Sequence, residues 1–372
     1  MTEDLKWIQE CLKLAAQSRG WTAPNPMVGS MITQDGQLIG SGFHAQAGKP
    51  HAEVYAIANA LENGHALEGA TLYVNLEPCN HFGRTPPCTE AIIQAGIKRV
   101  VIGMIDPDKR VSGKGRDRLL QAGIEVTVGV AEADCQQLNE GFIHRVETQA
   151  PFGILKYAMT LDGKIATNTG HSYWVTGELA RKQVHILRAG CDAVITGGNT
   201  VRLDNPHLTT HNLTAHSPLR VVMSRSLVLP KESQLWEIND VFKTLVITES
   251  LPENLSENQQ DNFQEKTETI NYLHDRGVEI LELATLTPKL VMAELGKRGC
   301  NNVLWECGGV LASRAIAEGA VQKVYAFIAP KIIGGHLSPI ADLGYTEMTQ
   351  AIILSRTEMT TLGNDILVTG YL

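Results

Sequence analysis

His51 and Glu53 stand two apart in "HAEVYAI", and Cys79 and Cys88 follow in "EPCNHFGRTPPC" with eight residues between them. One imidazole and two thiolates form the three-ligand set of a catalytic zinc, whose fourth position stays open. The two thiolates would neutralise the ion's formal charge. Zinc lowers the pKa of bound water toward about 7. A carboxylate beside it, Glu53, could take that proton and return it to a leaving amine. The chemistry would be hydrolytic deamination at an amidine-like ring carbon. Spacing alone leaves two duller readings open. One is a structural zinc clip with His81 as fourth ligand, and the other is a chance grouping around packed thiols.

A second group of polar residues gathers at expected strand ends and loops: Lys156, Ser172, Trp174, Arg188, Thr200, Asp204 and Glu306. "ECGGVLASRAI" puts two glycines between a strand and a helix start, where backbone N–H groups can face a phosphate. Taken singly, each of these reads as packing, turn chemistry or a solvated face. No G-x-G-x-x-G follows a strand, so a Rossmann dinucleotide site is not supported.

The elements that must position these residues alternate strand and helix. "MVGSMITQDGQLIGSGFH" reads as a hairpin turning at Asp35-Gly36. "HAEVYAIANALENG" reads as a helix ending near Gly64. Strands are expected in "GATLYVNLEPC", "KRVVIGMIDP" and "IEVTVGV", and helices in "PCTEAIIQAGI" and "GKGRDRLLQAG". A boundary falls at 146–150, before Pro151, and the alternation then restarts. "FGILKYAMTLDGKIA", "LRVVMS", "TLVIT", "NNVLWECGG", "KVYAFIAP" and "DILVTGYL" read as strands. "GELARKQVHILRAGC" and "VLASRAIAEGA" read as helices, and "DAVITGGNTVRLDNP" as a strand followed by a polar loop. The polar run from Glu249 to Thr269 reads as a surface excursion.

Composition narrows the class. The chain has 372 residues, 43% hydrophobic and 19% charged, enough for two globular cores. A net charge of −8 argues against binding a nucleic-acid backbone. No run of about 18 apolar residues suggests a membrane span, and acidic residues interrupt the first helix, so no signal peptide is read. Seven cysteines without a secretory signal argue against a disulfide framework. A cytoplasmic protein is expected.

Zinc deaminases share H-x-E followed by P-C-x-x-C. This chain keeps "HAE" and "PC" and widens the second spacing. With that widened "GRTPPC" loop, "PNPMVG" (24–29), "GFHAQAGKPHAEVYA" (42–56), "LEPCNHFGRTPPCTEAII" (76–93) and "DPDKRVSGKGRDRLLQAGIEV" (106–126) resemble the deaminase half of the RibD family, bifunctional deaminase/reductases of riboflavin biosynthesis. "LKYAMTLDGKIA" (155–166), "GHSYWVTG" (170–177), "VHILRAGCDAVITGGNTVRLDNPHLT" (184–209) and "LWECGGVLASRAI" (304–316) resemble its reductase half. The resemblance runs in order along the chain, roughly 250–300 excepted.

The resemblance implies an α/β protein: an N-terminal cytidine-deaminase-like α/β/α domain over 1–146 and a C-terminal dihydrofolate-reductase-like α/β domain over 151–372. It implies zinc on His51, Cys79 and Cys88, Glu53 as proton shuttle, and Asn25 on the pyrimidine. His81 and Lys114 are further candidates for substrate or phosphate contacts. For NADPH it implies Ala158, Trp174, Thr200, Asp204, Gly308, Gly309, Val310, Leu311, Ala312, Ser313 and Arg314. For substrate it implies Lys156, Ser172, Arg188, Leu208, His211 and Glu306, with Lys156 and Asp204 facing the reacting sugar. His211 stands where the family often has Arg, and Ser224 where it often has Asp.

The implied reactions are deamination of 2,5-diamino-6-(5-phosphoribosylamino)pyrimidin-4(3H)-one, then NADPH reduction of the ribosyl chain of 5-amino-6-(5-phosphoribosylamino)uracil. The expected partner is a small phosphorylated aminopyrimidine, with no nucleic acid and no membrane, and the chain is expected to form a homo-oligomer (dimer or tetramer). The rivals are a nucleoside or nucleic-acid deaminase with an accessory domain, and a structural zinc module on a nucleotide sensor.

Overall fold

The computed structural model describes residues 2–81, 86–109, 111–250 and 257–372, without the side chains of 257–263. Phe82–Thr85 of the "GRTPPC" loop and residues 251–256 of the polar run lie outside the described residues. The chain divides into two compact units, Met1–Gln149 and Ala150–Leu372.

The first unit runs α1 (Glu3–Ala15), β1 (Gly29–Gln34), β2 (Gln37–Phe43), α2 (Ala52–Glu62), β3 (Thr71–Leu76), α3 (Cys88–Gln94), β4 (Arg99–Met104), α4 (Lys114–Gln121), β5 (Glu125–Val128), α5 (Glu132–Leu138) and α6 (Glu140–Thr148). Its sheet has the order β2-β1-β3-β4-β5. β1 is antiparallel to β2 and β3, while β3, β4 and β5 are parallel. Alternating side chains serve the two faces. Ile32, Leu72, Val74, Val100 and Ile102 pack with Ala56 and Ala60 of α2, Ile92 of α3 and Leu119 of α4. Met31, Tyr73 and Val101 pack with Trp7, Ile8 and Cys11 of α1 and Cys135 of α5 on the other side. This is the expected α/β/α sandwich.

The entry of α2 onto the sheet depends on a close approach. A Cβ on Gly42 would lie 2.5 Å from the Tyr55 Cβ and 2.6 Å from the Ala56 nitrogen. Glycine there lets α2 settle against β2, which places His51 and Glu53 over the sheet.

The second unit runs β6 (Phe152–Thr160), α7 (Glu178–Ala189), β7 (Ala193–Gly197), α8 (Gly198–Asp204), β8 (Leu219–Met223), β9 (Thr244–Glu249), α9 (Glu257–Asp275), β10 (Glu279–Leu283), α10 (Pro288–Lys297), β11 (Asn302–Trp305), α11 (Gly309–Ala317), β12 (Lys323–Ala329), β13 (Ser355–Leu362) and β14 (Asp365–Tyr371). One nine-stranded sheet has the order β10-β9-β8-β7-β11-β6-β12-β14-β13. It is parallel from β10 to β12 and antiparallel through β14 and β13. Ile195, Val221, Leu245 and Trp305 face α10 and α11 through Val291, Leu295, Ala312 and Ala315. Val194, Val222, Val246 and Leu304 face the other layer with Val201, Leu235 and Leu273.

Several expectations are corrected. "GGNTVRLD" is helical as α8, because Val201 docks in the core and draws the glycine-started segment into a turn of helix. The polar run holds the start of α9, anchored further along by Ile270 and Leu273. β10, α10 and β13 were not anticipated. β13 is exposed over nearly its whole length and is held by its pairing with β14.

Candidate active sites

In the first unit, His51 is the residue immediately before α2, and Glu53 lies in its first turn. Cys79 follows β3 in a loop, and Cys88 begins α3. The loop is tied back by Thr89 N donating to the Cys79 carbonyl at 3.3 Å and by the Thr89 hydroxyl donating to Asn80 Oδ1 at 2.9 Å. Glu77, buried beside it, accepts backbone N–H groups from Asp106, Gly113 and Arg116 at 3.2, 2.9 and 3.0 Å. That carboxylate fixes the end of β3 against the start of α4.

His51 Nδ1, Cys79 Sγ and Cys88 Sγ lie within 4.8 Å of one another. The nitrogen is 3.2 Å from Cys88 Sγ and 3.6 Å from Cys79 Sγ. A tetrahedral zinc with ordinary Zn–N and Zn–S bonds separates such atoms by about 3.6 Å. Donor set and spacing therefore fit zinc with three protein ligands. His81 is exposed, and among the described residues it does not join this cluster.

Glu53 is 3% exposed, and its Oε2 is buried without a hydrogen-bond partner among the described residues. A buried polar atom of this kind is costly unless a ligand satisfies it. Burial, with the nearby Cys79 charge, pushes the carboxyl up to about 7. That is the range in which a carboxyl both takes and gives protons near neutrality.

A cavity of about 630 Å³ opens on this cluster, and Asn25, His44, His81 and Asp106 share its wall. Sequence reading passed over His44. Its Nδ1 sits 3.0 Å from the Pro50 carbonyl and its Nε2 3.1 Å from the Asn25 amide nitrogen. A neutral ring that donates from Nδ1 and accepts at Nε2 satisfies both contacts, and burial lowers its pKa accordingly. The Asn25 amide is thereby oriented. A lone histidine in "GFH" carries no signal of this role. Asp106, pushed up to about 6 by burial, was also passed over. Lys114, at the start of α4, is not part of this cavity's wall.

In the second unit, a cavity of about 1700 Å³ runs along the C-terminal ends of the parallel strands. Its centre is an ion cluster. Arg188 of α7 grips Glu306, at the end of β11, with Nε–Oε1 of 2.5 Å and Nη2–Oε2 of 3.0 Å. Lys156 of β6 lies 3.6 Å from the same carboxylate. Burial acts to raise the Glu306 carboxyl, but Arg188 and Lys156 outweigh it and hold it at about 2. Burial lowers the Lys156 ammonium from its ordinary value.

Ala158, Ser172, Trp174, Thr200, Asp204, Leu208 and His211 all share this wall, as do Gly308, Gly309, Val310, Leu311 and Arg314. Two expected residues do not. Ala312 is buried in the core, and the Ser313 hydroxyl bonds the Val310 carbonyl within its own helix. Helical periodicity turns these side chains away from the face that Val310, Leu311 and Arg314 present. Gly309 is required by packing, since a Cβ there would lie 2.6 Å from the Ser338 carbonyl oxygen. Gly308 has open space around it and leaves the helix start accessible.

Sequence reading also passed over His185, Arg181 and Lys266. The His185 ring packs against His211 at 4.3 Å between centroids, and burial with Arg188 pushes it down to about 4. Arg181 lies over the exposed Trp174 ring at 4.6 Å. Ser224, like Arg225, faces the cavity.

Comparisons with known proteins agree with this geometry. Residues 1–104 match the cytidine and deoxycytidylate deaminase zinc-binding region, and residues 151–368 match the RibD C-terminal domain. The chain is 56% identical to the riboflavin biosynthesis protein RibD of Synechocystis sp. (strain ATCC 27184 / PCC 6803 / Kazusa), over 100% of this chain and 97% of that protein. It is 36% identical to RibD of Escherichia coli (strain K12), covering 98% of each. A Thermotoga maritima crystal structure, a diaminohydroxyphosphoribosylaminopyrimidine deaminase/5-amino-6-(5-phosphoribosylamino)uracil reductase, superposes with a TM-score of 0.86 at 34% identity, over 99% of this chain and 98% of that one. No helix among the described residues is long and apolar enough to cross a membrane. A zinc-binding deaminase region and an NADPH-using reductase domain thus occur in one chain, which acts on a small molecule. This chain belongs to the RibD family of bifunctional deaminase/reductases of riboflavin biosynthesis.

Proposed function

We propose that residues 1–146 deaminate 2,5-diamino-6-(5-phosphoribosylamino)pyrimidin-4(3H)-one and that residues 151–372 reduce the resulting 5-amino-6-(5-phosphoribosylamino)uracil; the Thermotoga protein is named as a diaminohydroxyphosphoribosylaminopyrimidine deaminase and a reductase of that uracil. The observation that carries the reading is the His51–Cys79–Cys88 cluster beside a buried carboxylate, Glu53, with an unpartnered oxygen. His51, Cys79 and Cys88 hold the zinc, which when bound makes water acidic enough to ionise near neutral pH. Glu53 takes a proton from the attacking water and passes it to the adjacent ring nitrogen as the water oxygen joins the amino-bearing ring carbon. It then carries the remaining hydroxyl proton to the departing amine, the C–N bond breaks, ammonia leaves and the ring keeps a carbonyl. Asn25, held by His44, orients the pyrimidine.

In the second unit, NADPH when bound would supply a hydride to C1 of the sugar once its bond to the ring oxygen has opened, and a proton on that oxygen completes the ribityl chain. We read Lys156 and Asp204 as facing that sugar, with Lys156 giving the proton. Arg188 has Nε and one Nη2–H on Glu306, which leaves its second Nη2–H for the substrate phosphate, beside Ser172, Leu208, His211 and Glu306. Ala158, Trp174, Thr200, Asp204, Gly308, Gly309, Val310, Leu311 and Arg314 form the cofactor side. We further propose a cytoplasmic homo-oligomer.

The test follows the order of the steps. The diaminopyrimidinone phosphate should release one ammonia per molecule without NADPH, and NADPH oxidation should then require the deaminated product. NADPH oxidation with no dependence on that product would contradict the reading.

A further inference from the structure

The cavity of the second unit extends well past its reacting cluster. Glu306 follows β11, whereas Glu249 closes β9, with β7 and β8 between them. Three inter-strand spacings put these two ends on the order of 14 Å apart. An extended dinucleotide with its reacting ring near Glu306 would bring its adenosine end to the ends of β8 and β9.

That end carries two cations. Lys266 of α9 is 5% exposed, and its ammonium donates to the Glu249 carbonyl oxygen. A lysine has three N–H donors, so capacity remains for an anion. Arg225, just past β8, lies with Nε 3.2 Å from Glu249 Oε2 and keeps more than half of its side chain exposed. Both residues face the cavity. A buried ammonium is expensive without a counter-charge, and burial lowers the pKa of Lys266 while the Glu249 and Glu282 carboxylates oppose that. Glu249 is already engaged, because its Oε1 accepts the Leu286 N–H at 3.0 Å. Glu265 lies exposed on the rim.

A free carboxylate at such a strand end would favour the ribose hydroxyls of NADH. Here the carboxylate is occupied and two cations face the space beside it. We infer that Lys266 and Arg225 read the 2′-phosphate of the cofactor's adenosine ribose, and so set the preference for NADPH over NADH. The inference rests on the reading of this cavity as the cofactor site. It assigns a binding role to α9, a helix that no sequence motif announced.

Binding of NADPH, NADH, adenosine 2′,5′-bisphosphate and ADP to the full zinc-loaded chain, measured by calorimetry, tests it. Lys266→Met should weaken NADPH and the 2′,5′-bisphosphate by about tenfold or more, with NADH and ADP changed less than about twofold. Arg225→Ala, at an exposed side chain that folding does not require, should shift the same two ligands in the same direction. Equal weakening of NADPH and NADH, or no change in either variant, would overturn the inference while leaving the cofactor reading intact. Failure of the unaltered protein to bind either dinucleotide would overturn both.

Discussion

Arg188 and Glu306 form a two-pronged ion pair, with Nε–Oε1 at 2.5 Å and Nη2–Oε2 at 3.0 Å, joining α7 to the end of β11. A third bond, from Arg188 Nη1 to the Thr209 carbonyl at 3.0 Å, draws in the loop that carries His211. One guanidinium thus organises three segments around the cavity.

The pair makes stability depend on acid. The Glu306 carboxyl sits at about 2 in the folded protein, against an ordinary value of 4.5. Its contribution is complete above the ordinary value and is lost as pH falls from there toward 2. A depression of that size corresponds to roughly 3 kcal/mol. Glu306→Gln should therefore unfold at lower urea than the unaltered protein at pH 7. The gap should narrow as pH drops through this window. A gap independent of pH would show that the carboxyl is not held this way.

Metal removal should separate the two activities. Cys88→Ser should drop bound zinc from about one per chain to a small fraction, since one of its three protein ligands is lost. Ammonia release should vanish with it. NADPH oxidation on supplied deaminated substrate should persist, because none of the proposed reductase residues lies in the first unit. Atomic absorption together with the two assays checks this.

Asn25→Ala should raise the deaminase KM by about tenfold, the value of one hydrogen bond to a substrate held in a partly buried site. His44→Gln should do the same by releasing the Asn25 amide. If either change left steady-state kinetics unaltered, the pyrimidine contact at Asn25 would be wrong.

Gly42→Ala should lower the melting temperature without touching any proposed ligand. Its methyl group would press the Tyr55 Cβ and the Ala56 nitrogen at 2.5 and 2.6 Å. Overpacking of this kind costs about 1–3 kcal/mol. Zinc content should fall with the fraction unfolded, as followed by thermal melting.

Much of the first site was legible in the sequence, for a physical reason. Its donors are chemically distinctive, and "HAE" and "EPC" sit at the junctions of strongly periodic elements. His44 was not legible, because one histidine at a strand end carries no pattern and its role arises from a contact with Asn25 across nineteen positions. Ala312 and Ser313 were placed by continuity along a motif, and helical geometry then turned their side chains from the cavity. The helix over Glu257–Asp275 was hidden by polarity, since few of its residues are bulky; among the described residues Ile270, Tyr272, Leu273 and the Lys266 stem fasten it. β13 has no buried face and so no alternation to read.

The central claim is that Glu53 moves the proton while His51, Cys79 and Cys88 hold the metal. Zinc content and single-turnover ammonia release in Glu53→Gln test it together. The account predicts about one zinc per chain, as in the unaltered protein, with deamination slowed by a factor on the order of 10² to 10⁴. Full zinc with undiminished deamination would contradict it.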